Sequence, residues 1–288
     1  MNVRLNTNLM SLNVYKGYTK ALKTQETAFN RISTGLKINS AKDDPNNLGQ
    51  SEMLRLQIRG LQAAGRNLQD GASMIQTFDG ALSSVSESLT RMKELVVQGS
   101  TGSLNSEDKA NIQKEIDQLK EHINSVTKNT EFNGVKLLDD QNVTDNNKPG
   151  FITTSVGANV GELAKIPTFN TSTTMLGKDG VGYLEEVNLL DENSKDKNLE
   201  IIDSAVNSVN SMRSKYGAVQ NKFESLSQGL GEISQSVENA ESSLRDADIA
   251  EEMMNYSRDS ILVNSSIAMM VQTNKLPQDV LQILERLK

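Results

Sequence analysis

Leu54, Leu61, Leu68, Ile75, Leu82, Leu89 and Val96 stand at strict seven-residue intervals, and Ala64, Gly71, Phe78, Val85 and Met92 form a second such series between them. Two interleaved series of this kind are the a/d signature of a long helix with one apolar seam. From Leu54 to Val96 such a helix runs about 65 Å at about 1.5 Å per residue. A strict seven-residue period winds it left-handedly with partner helices. Gly60, Gly65, Gly71 and Gly80 lie inside this stretch, each costing about 1 kcal/mol relative to Ala. Gly71 falls on the seam, where a missing side chain lets another backbone come close. The pattern gives no reason for the other three.

After a break at Gly99–Asn105, Ile112, Ile116, Leu119, Ile123 and Val126 alternate steps of four and three, which predicts a second helix. Ser106 is the expected N-cap, with Glu107 and Asp108 favouring the positive end of the helix dipole. The character then changes. Phe132-Asn133-Gly134-Val135 is a turn signal, because Asn-Gly tolerates the positive φ of a tight hairpin. Residues 139–196 are short in pattern and rich in Gly, Asn, Thr and Asp. Phe151–Val156 reads as a strand bounded by Gly157. A third long helix is marked by Leu199, Ile202, Val206, Val209, Met212, Tyr216, Val219, Phe223, Leu226, Leu230, Ile233, Val237, Ala240 and Leu244.

Both ends are amphipathic. Leu5, Leu9, Leu12, Tyr15, Tyr18, Leu22, Phe29, Ile32 and Leu36 form an N-terminal stripe. Ile249, Met253, Tyr256, Val263, Ile267 and Met270 form a C-terminal seam; Pro277 is expected to interrupt it, with a last apolar turn containing Leu281 and Leu284 beyond. Residues 1–44 carry seven basic against three acidic side chains, and residues 245–288 five against seven. Opposite signs favour association of the two ends, although exposed pairs contribute only about 0–1 kcal/mol each. Met254, Leu262, Met269 and Val271 flank the C-terminal seam, so a two-helix pair leaves apolar surface uncovered. The simplest cover is copies of the same chain. Unassembled, such ends are expected to be largely disordered and to order on assembly.

Composition narrows the function. The chain has 288 residues, no Cys, no Trp and 4% aromatics, so its core must come from Leu, Ile, Val, Met and Ala. Without Cys there is no disulfide, thiolate chemistry or Cys-based zinc site. The formal charge of −7 argues against nucleic-acid binding. No run of 18 apolar residues is present to span a membrane. The segment from Met1 to Leu12 lacks the layout of a cleaved signal peptide, so export would follow another route.

The residues then meet a family. Asn30-Arg31-Ile32-Ser33-Thr34-Gly35-Leu36-Lys37-Ile38-Asn39-Ser40-Ala41-Lys42-Asp43-Asp44 resembles the N-terminal signature of bacterial flagellins. Arg91–Gln98, Phe132–Leu138, Val156–Asn159 and Gln272–Leu281 resemble further flagellin segments in the same order. The resemblance implies a mainly α protein, a long coiled-coil helix bundle with a small β-hairpin and loop region, and a discontinuous terminal-helix domain. Residues 1–44 would be the N-terminal helix and linker of the filament core, 45–244 a helical rod with a short β insert at about 130–196, and 245–288 the C-terminal core helix. The large outer domains of many flagellins are absent. Polymerisation would rest on Leu5, Leu9, Leu12, Leu22, Phe29, Ile32, Ile249, Met253, Tyr256, Val263, Ile267, Met270, Leu281 and Leu284. The rod core would be Leu54, Leu61, Leu68, Ile75, Leu82, Leu89, Val96, Leu230, Ile233 and Val237.

The implied function is polymerisation into the extracellular flagellar filament for motility, after unfolded export through the flagellar type III apparatus. The implied partners are copies of the chain, an export chaperone, a filament cap protein and a hook–filament junction protein. Arg91, Leu95 and Glu115 match the contact patch of flagellins recognised by Toll-like receptor 5. One departure stands out: Pro45-Asn46-Asn47 follows the Asp-Asp pair, where flagellins usually continue with small residues, and suits a linker between two helices. A hook–filament junction protein of the same superfamily, separated by copy number, and a cytosolic coiled-coil scaffold, separated by culture fractionation, are the alternatives.

Sharper chemistry finds little support. His122, the single histidine, borders the second helix's apolar stripe and is expected to be a helix-edge side chain. Gly177-Lys178-Asp179-Gly180-Val181-Gly182 lacks the spacing of a phosphate cradle and reads as a surface turn. Asp139, Asp140 and Asp145 lack calcium-loop spacing. Thr168, Thr171, Ser172, Thr173 and Thr174 form a hydroxyl cluster where O-glycosylation is conceivable. No cofactor, metal or catalytic residue is expected.

Overall fold

The computed structural model describes residues 8–101, 104–178, 180–191 and 194–286; at 280, 281 and 283–286 it describes the backbone only. The elements are α1 (Leu9–Thr34), α2 (Pro45–Gly99), α3 (Ser106–Asn129), β1 (Gly150–Ser155), β2 (Leu163–Thr168), β3 (Gly177–Lys178), β4 (Gly182–Tyr183), α4 (Lys195–Arg245) and α5 (Ile249–Arg286). The chain divides into two compact units, one of residues 1–56 with 236–288 and one of residues 57–235. The division falls inside α2 and α4 rather than at the linkers. The first turns of α2 and the last turns of α4 are tied together by side chains within the first unit.

The second unit is a helical bundle. The heptad series of α2 lines its core: Ile75, Phe78, Leu82, Val85, Leu89, Met92 and Val96 are all fully buried, with Leu61 and Leu68 nearly so. Ile116 and Ile123 from α3, and Ile202, Val209, Met212, Tyr216 and Phe223 from α4, are buried in the same core region. Phe169 meets Tyr216 edge to face with ring centres 5.4 Å apart. Leu230 is only partly buried at the edge of this core and Ile233 is exposed. Ile233 is thus corrected as a rod-core residue, because the bundle's cover ends before it. Leu54 and Val237 are half-buried and belong to the first unit.

Gly71 is required for a different reason from the one its seam position suggests. Its nearest neighbours are ring atoms of Phe223, not another backbone. A Cβ there would lie 2.6 Å from Phe223 Cε2, a ring with 1% exposure. Gly71→Ala gains about 1 kcal/mol of helix propensity but overpacks the core by about 1–3 kcal/mol. A net loss of thermal stability in the second unit is the expected result, and an unchanged or raised melting temperature would contradict it. Gly60 is accounted for by Ala158, whose Cβ would lie 2.9 Å from an added Cβ, whereas Gly65 and Gly80 face open space.

The insert is a small β structure. Asn133 (φ 50°) and Gly134 (φ 77°) make the tight turn between Phe132 and Val135. β1 and β2 pair antiparallel with Ile152 opposite Ile166. The hydroxyl cluster is corrected from a modification candidate to interior structure at Thr168, Thr171 and Thr173, all nearly inaccessible. Thr171 and Thr127 share a hydroxyl hydrogen bond of 2.8 Å, Asn124 Nδ2 donates to Thr173 Oγ1 at 3.0 Å, and Thr168 Oγ1 donates to Asp140 at 2.6 Å. That last bond holds the Asp140 carboxyl below the usual carboxylate range. Lys120 Nζ clips the following segment to α3 through the carbonyls of Glu185 and Val187, and burial lowers its pKa.

Candidate assembly surface

The flagellin-like signature at residues 30–44 builds a linker. Gly35 ends α1 in the left-handed region (φ 72°), and its N–H donates to the Arg31 carbonyl at 2.8 Å. The linker then pairs with the turn between α4 and α5: the Lys37 N–H donates to the Arg245 carbonyl at 2.7 Å, and the Ala247 N–H to the Gly35 carbonyl at 3.0 Å. Asp43 accepts the backbone N–H groups of Ser40 and Asn39, which hold its carboxyl below the ordinary range. Asp44 accepts the N–H groups of Asn46 and Asn47. Pro45 is therefore the first residue of α2, where a missing N–H costs nothing, and not part of the linker.

Behind the linkers, side chains of α2 and α4 close a ring. Arg245 donates to Ser51 Oγ at 3.2 Å and Glu52 at 2.6 Å, and Glu241 accepts from Ser51 at 3.3 Å and Arg55 Nε at 3.0 Å. Arg55 also lies 3.8 Å from Glu52. Two positive and two negative charges thus surround the buried Ser51. The apolar pattern does not mark these residues; their signal is the polar spacing Ser51-Glu52-x-x-Arg55 against Glu241-x-x-x-Arg245 on two neighbouring helices.

α1 packs on α5, but not through the residues the apolar stripes suggest. The positions buried between them are Ala21 and Ala28 on α1 and Glu252, Asp259 and Thr273 on α5. Arg31 pairs with Glu252 at 2.8 Å, and Phe29 lies 6.2 Å from Tyr256, ring centre to ring centre. Ile32, Tyr256, Val263 and Met270 are half-buried beside this seam. Leu9, Leu12, Leu22, Phe29, Ile249, Met253 and Ile267 are exposed, Leu9 by 61%. The contact within one chain uses small and polar side chains, so the larger apolar ones remain outside. Leu5, and the side chains of Leu281 and Leu284, lie outside the described residues. α5 also runs on through Pro277 to Arg286, correcting the expected interruption.

The uncovered surface of α5 is not one stripe. At 100° per residue, Ile249, Met253 and Ile267 lie on one side of the seam, Leu262, Met269 and Leu276 on the other, and Met254, Ile261 and Val271 opposite it. All nine are exposed in the single chain. Apolar side chains exposed on several sides of one helix need more than one neighbour to cover them. With six more on α1, fifteen large apolar side chains stand exposed on these two helices among the described residues. Covering each recovers about 1 kcal/mol, on the order of 10 kcal/mol together, which is enough to offset an association cost of about 4–15 kcal/mol.

The remaining candidates fare differently. Arg91 donates to Glu115 at 3.0 and 2.8 Å and to Glu94 at 3.2 Å; Arg91 and Glu115 are both exposed. Leu95 is corrected as a receptor contact: it is buried in the bundle core at 2% exposure. His122 is exposed, with Nε2 3.3 Å from Ser84 Oγ.

Long helices, with apolar side chains left exposed on several sides of α5, define a helical subunit of a self-assembling polymer. The chain matches the bacterial flagellin N-terminal helical region over residues 5–143 and the bacterial flagellin C-terminal helical region over residues 199–284. It is 38% identical to a flagellin of Halalkalibacterium halodurans over 280 residues, covering 97% of this chain and 99% of that one. It is 34% identical over 256 residues to the flagellar filament 30.7 kDa core protein of Treponema maltophilum, covering 88% and 90%. A putative flagellar hook-associated protein from Vibrio parahaemolyticus shares the fold at a TM-score of 0.58, with 17% identity over 71% of this chain and all of that one. The chain belongs to the bacterial flagellin family.

Proposed function

We propose that this chain is the structural subunit of a bacterial flagellar filament, polymerised from many copies outside the cell and used for motility. The observation that carries the reading is the set of fifteen apolar side chains left uncovered on α1 and α5 among the described residues. Other copies of the chain are the partner that covers them. Export proceeds unfolded through the flagellar type III apparatus, with a chaperone holding the apolar C-terminal segment beforehand. A filament cap protein and a hook–filament junction protein bound the polymer at its two ends. The role is mechanical; no catalytic residue, cofactor or metal is assigned. Recognition by Toll-like receptor 5 now rests on Arg91 and Glu115 alone. A receptor reporter assay with monomeric protein tests that part, and no signal at high concentration refutes it.

The main reading is tested by shearing cells and decorating what is released with antibody against this chain. Labelling along whole filaments is expected. Labelling confined to the hook junction would make the chain a junction protein, and retention in the cytosol would make it a scaffold.

A further inference from the structure

The seam between α1 and α5 does not fix its own register well. Ala21 and Ala28 recur after seven residues on α1, and Glu252, Asp259, Ser266 and Thr273 recur after seven on α5. Small and polar side chains at such positions discriminate weakly between one heptad and the next, and helix pairs commonly settle register with a single polar contact. Arg31 with Glu252 is one such contact, but Asp259 presents another carboxylate one heptad along.

The far end of the pair holds a contact without a repeat. Pro277 lies inside α5 and has no backbone N–H to donate. The carbonyl that N–H would engage, four residues earlier, is that of Thr273. It is not left empty: Asn8 Nδ2 donates to it at 2.8 Å. The same amide's Oδ1 accepts the Ser11 N–H at 3.1 Å, capping α1. The two bonds use opposite ends of one side-chain amide, so its orientation is set by both helices at once. Thr273 is buried at 4% exposure, where an unpaired carbonyl is costly.

We propose that Asn8 is the register-setting residue of the terminal helix pair, recognising the one α5 carbonyl that a proline has freed and so positioning α1 on α5 for assembly. A slip of one heptad would carry Asn8 to a carbonyl already bonded inside the helix. Aspartate at position 8 would still cap α1 but has no donor for Thr273. Alanine would do neither.

The proposal rests on the filament reading, and a double-mutant cycle on the full chain separates the two. Critical concentration for filament growth is measured for wild type, Asn8→Ala, Pro277→Ala and the double variant. Asn8→Ala is expected to raise it about tenfold, the effect of a lost cap and hydrogen bond together. In the Pro277→Ala background, residue 277 supplies its own N–H to Thr273, so Asn8→Ala is expected to cost clearly less. Equal effects of Asn8→Ala in both backgrounds overturn the proposal. Should Pro277→Ala alone prevent growth, Asn8→Asp decides: growth like wild type overturns the proposal, and growth clearly weaker than wild type upholds it. A wild-type chain that never forms filaments would instead refute the filament reading.

Discussion

Leu68→Asp is expected to unfold the second unit or lower its melting temperature drastically. Leu68 is 1% exposed within the bundle core. The change forfeits about 1.5–3 kcal/mol of burial and places an unpaired carboxylate where desolvation costs several kcal/mol more. Together these consume a large share of the 5–15 kcal/mol by which a domain is typically stable (about 0.05–0.15 per residue). Leu230→Asp should act in the same direction but less, since Leu230 is only partly buried. Thermal melting of the purified monomer, followed by helical circular dichroism, checks both. An unchanged transition in Leu68→Asp, or a larger effect at Leu230, would contradict the placement of the core.

Deleting residues 276–288 is expected to abolish polymerisation while leaving the melting of the second unit intact. The deletion removes exposed Leu276, Pro277 and the last turns of α5, none of which belongs to residues 57–235. It also restores no donor to the Thr273 carbonyl, so Asn8 would hold a fraying helix end. Electron microscopy of the truncated chain is the check. Long filaments would show that the end of α5 is dispensable for assembly.

What the sequence makes legible follows from how many faces each helix buries. α2 has one apolar face, and its heptad series names the core side correctly from Leu61 to Val96. The turn at Asn133-Gly134 is equally direct, and the strand read at 151–156 is found one residue earlier at 150–155, because each depends on local backbone chemistry. α5 carries large apolar side chains on several sides, so its apolar periodicity does not tell which face meets α1. The answer lay in Ala21, Ala28, Glu252 and Asp259, residues that a search for large apolar side chains passes over. The N-cap of α3 was misplaced by one residue: Asn105, not Ser106, accepts the Asp108 N–H at 2.7 Å. Leu95 enters as a surface contact only through the resemblance to receptor-recognised flagellins, yet the bundle core takes it in together with Val96. Thr168, Thr171 and Thr173 resembled an exposed hydroxyl patch, but their partners Asp140, Thr127 and Asn124 come from distant stretches that no local pattern connects.

Whether the apolar surface of α1 and α5 is meant for sister chains is tested most directly by imaging the purified full-length protein under conditions that drive association. Long filaments of uniform diameter, in which Leu9, Met253 and Ile261 become protected from solvent, are the predicted result. A protein that remains a monomer with both terminal helices fully ordered and their apolar faces still bare would contradict it.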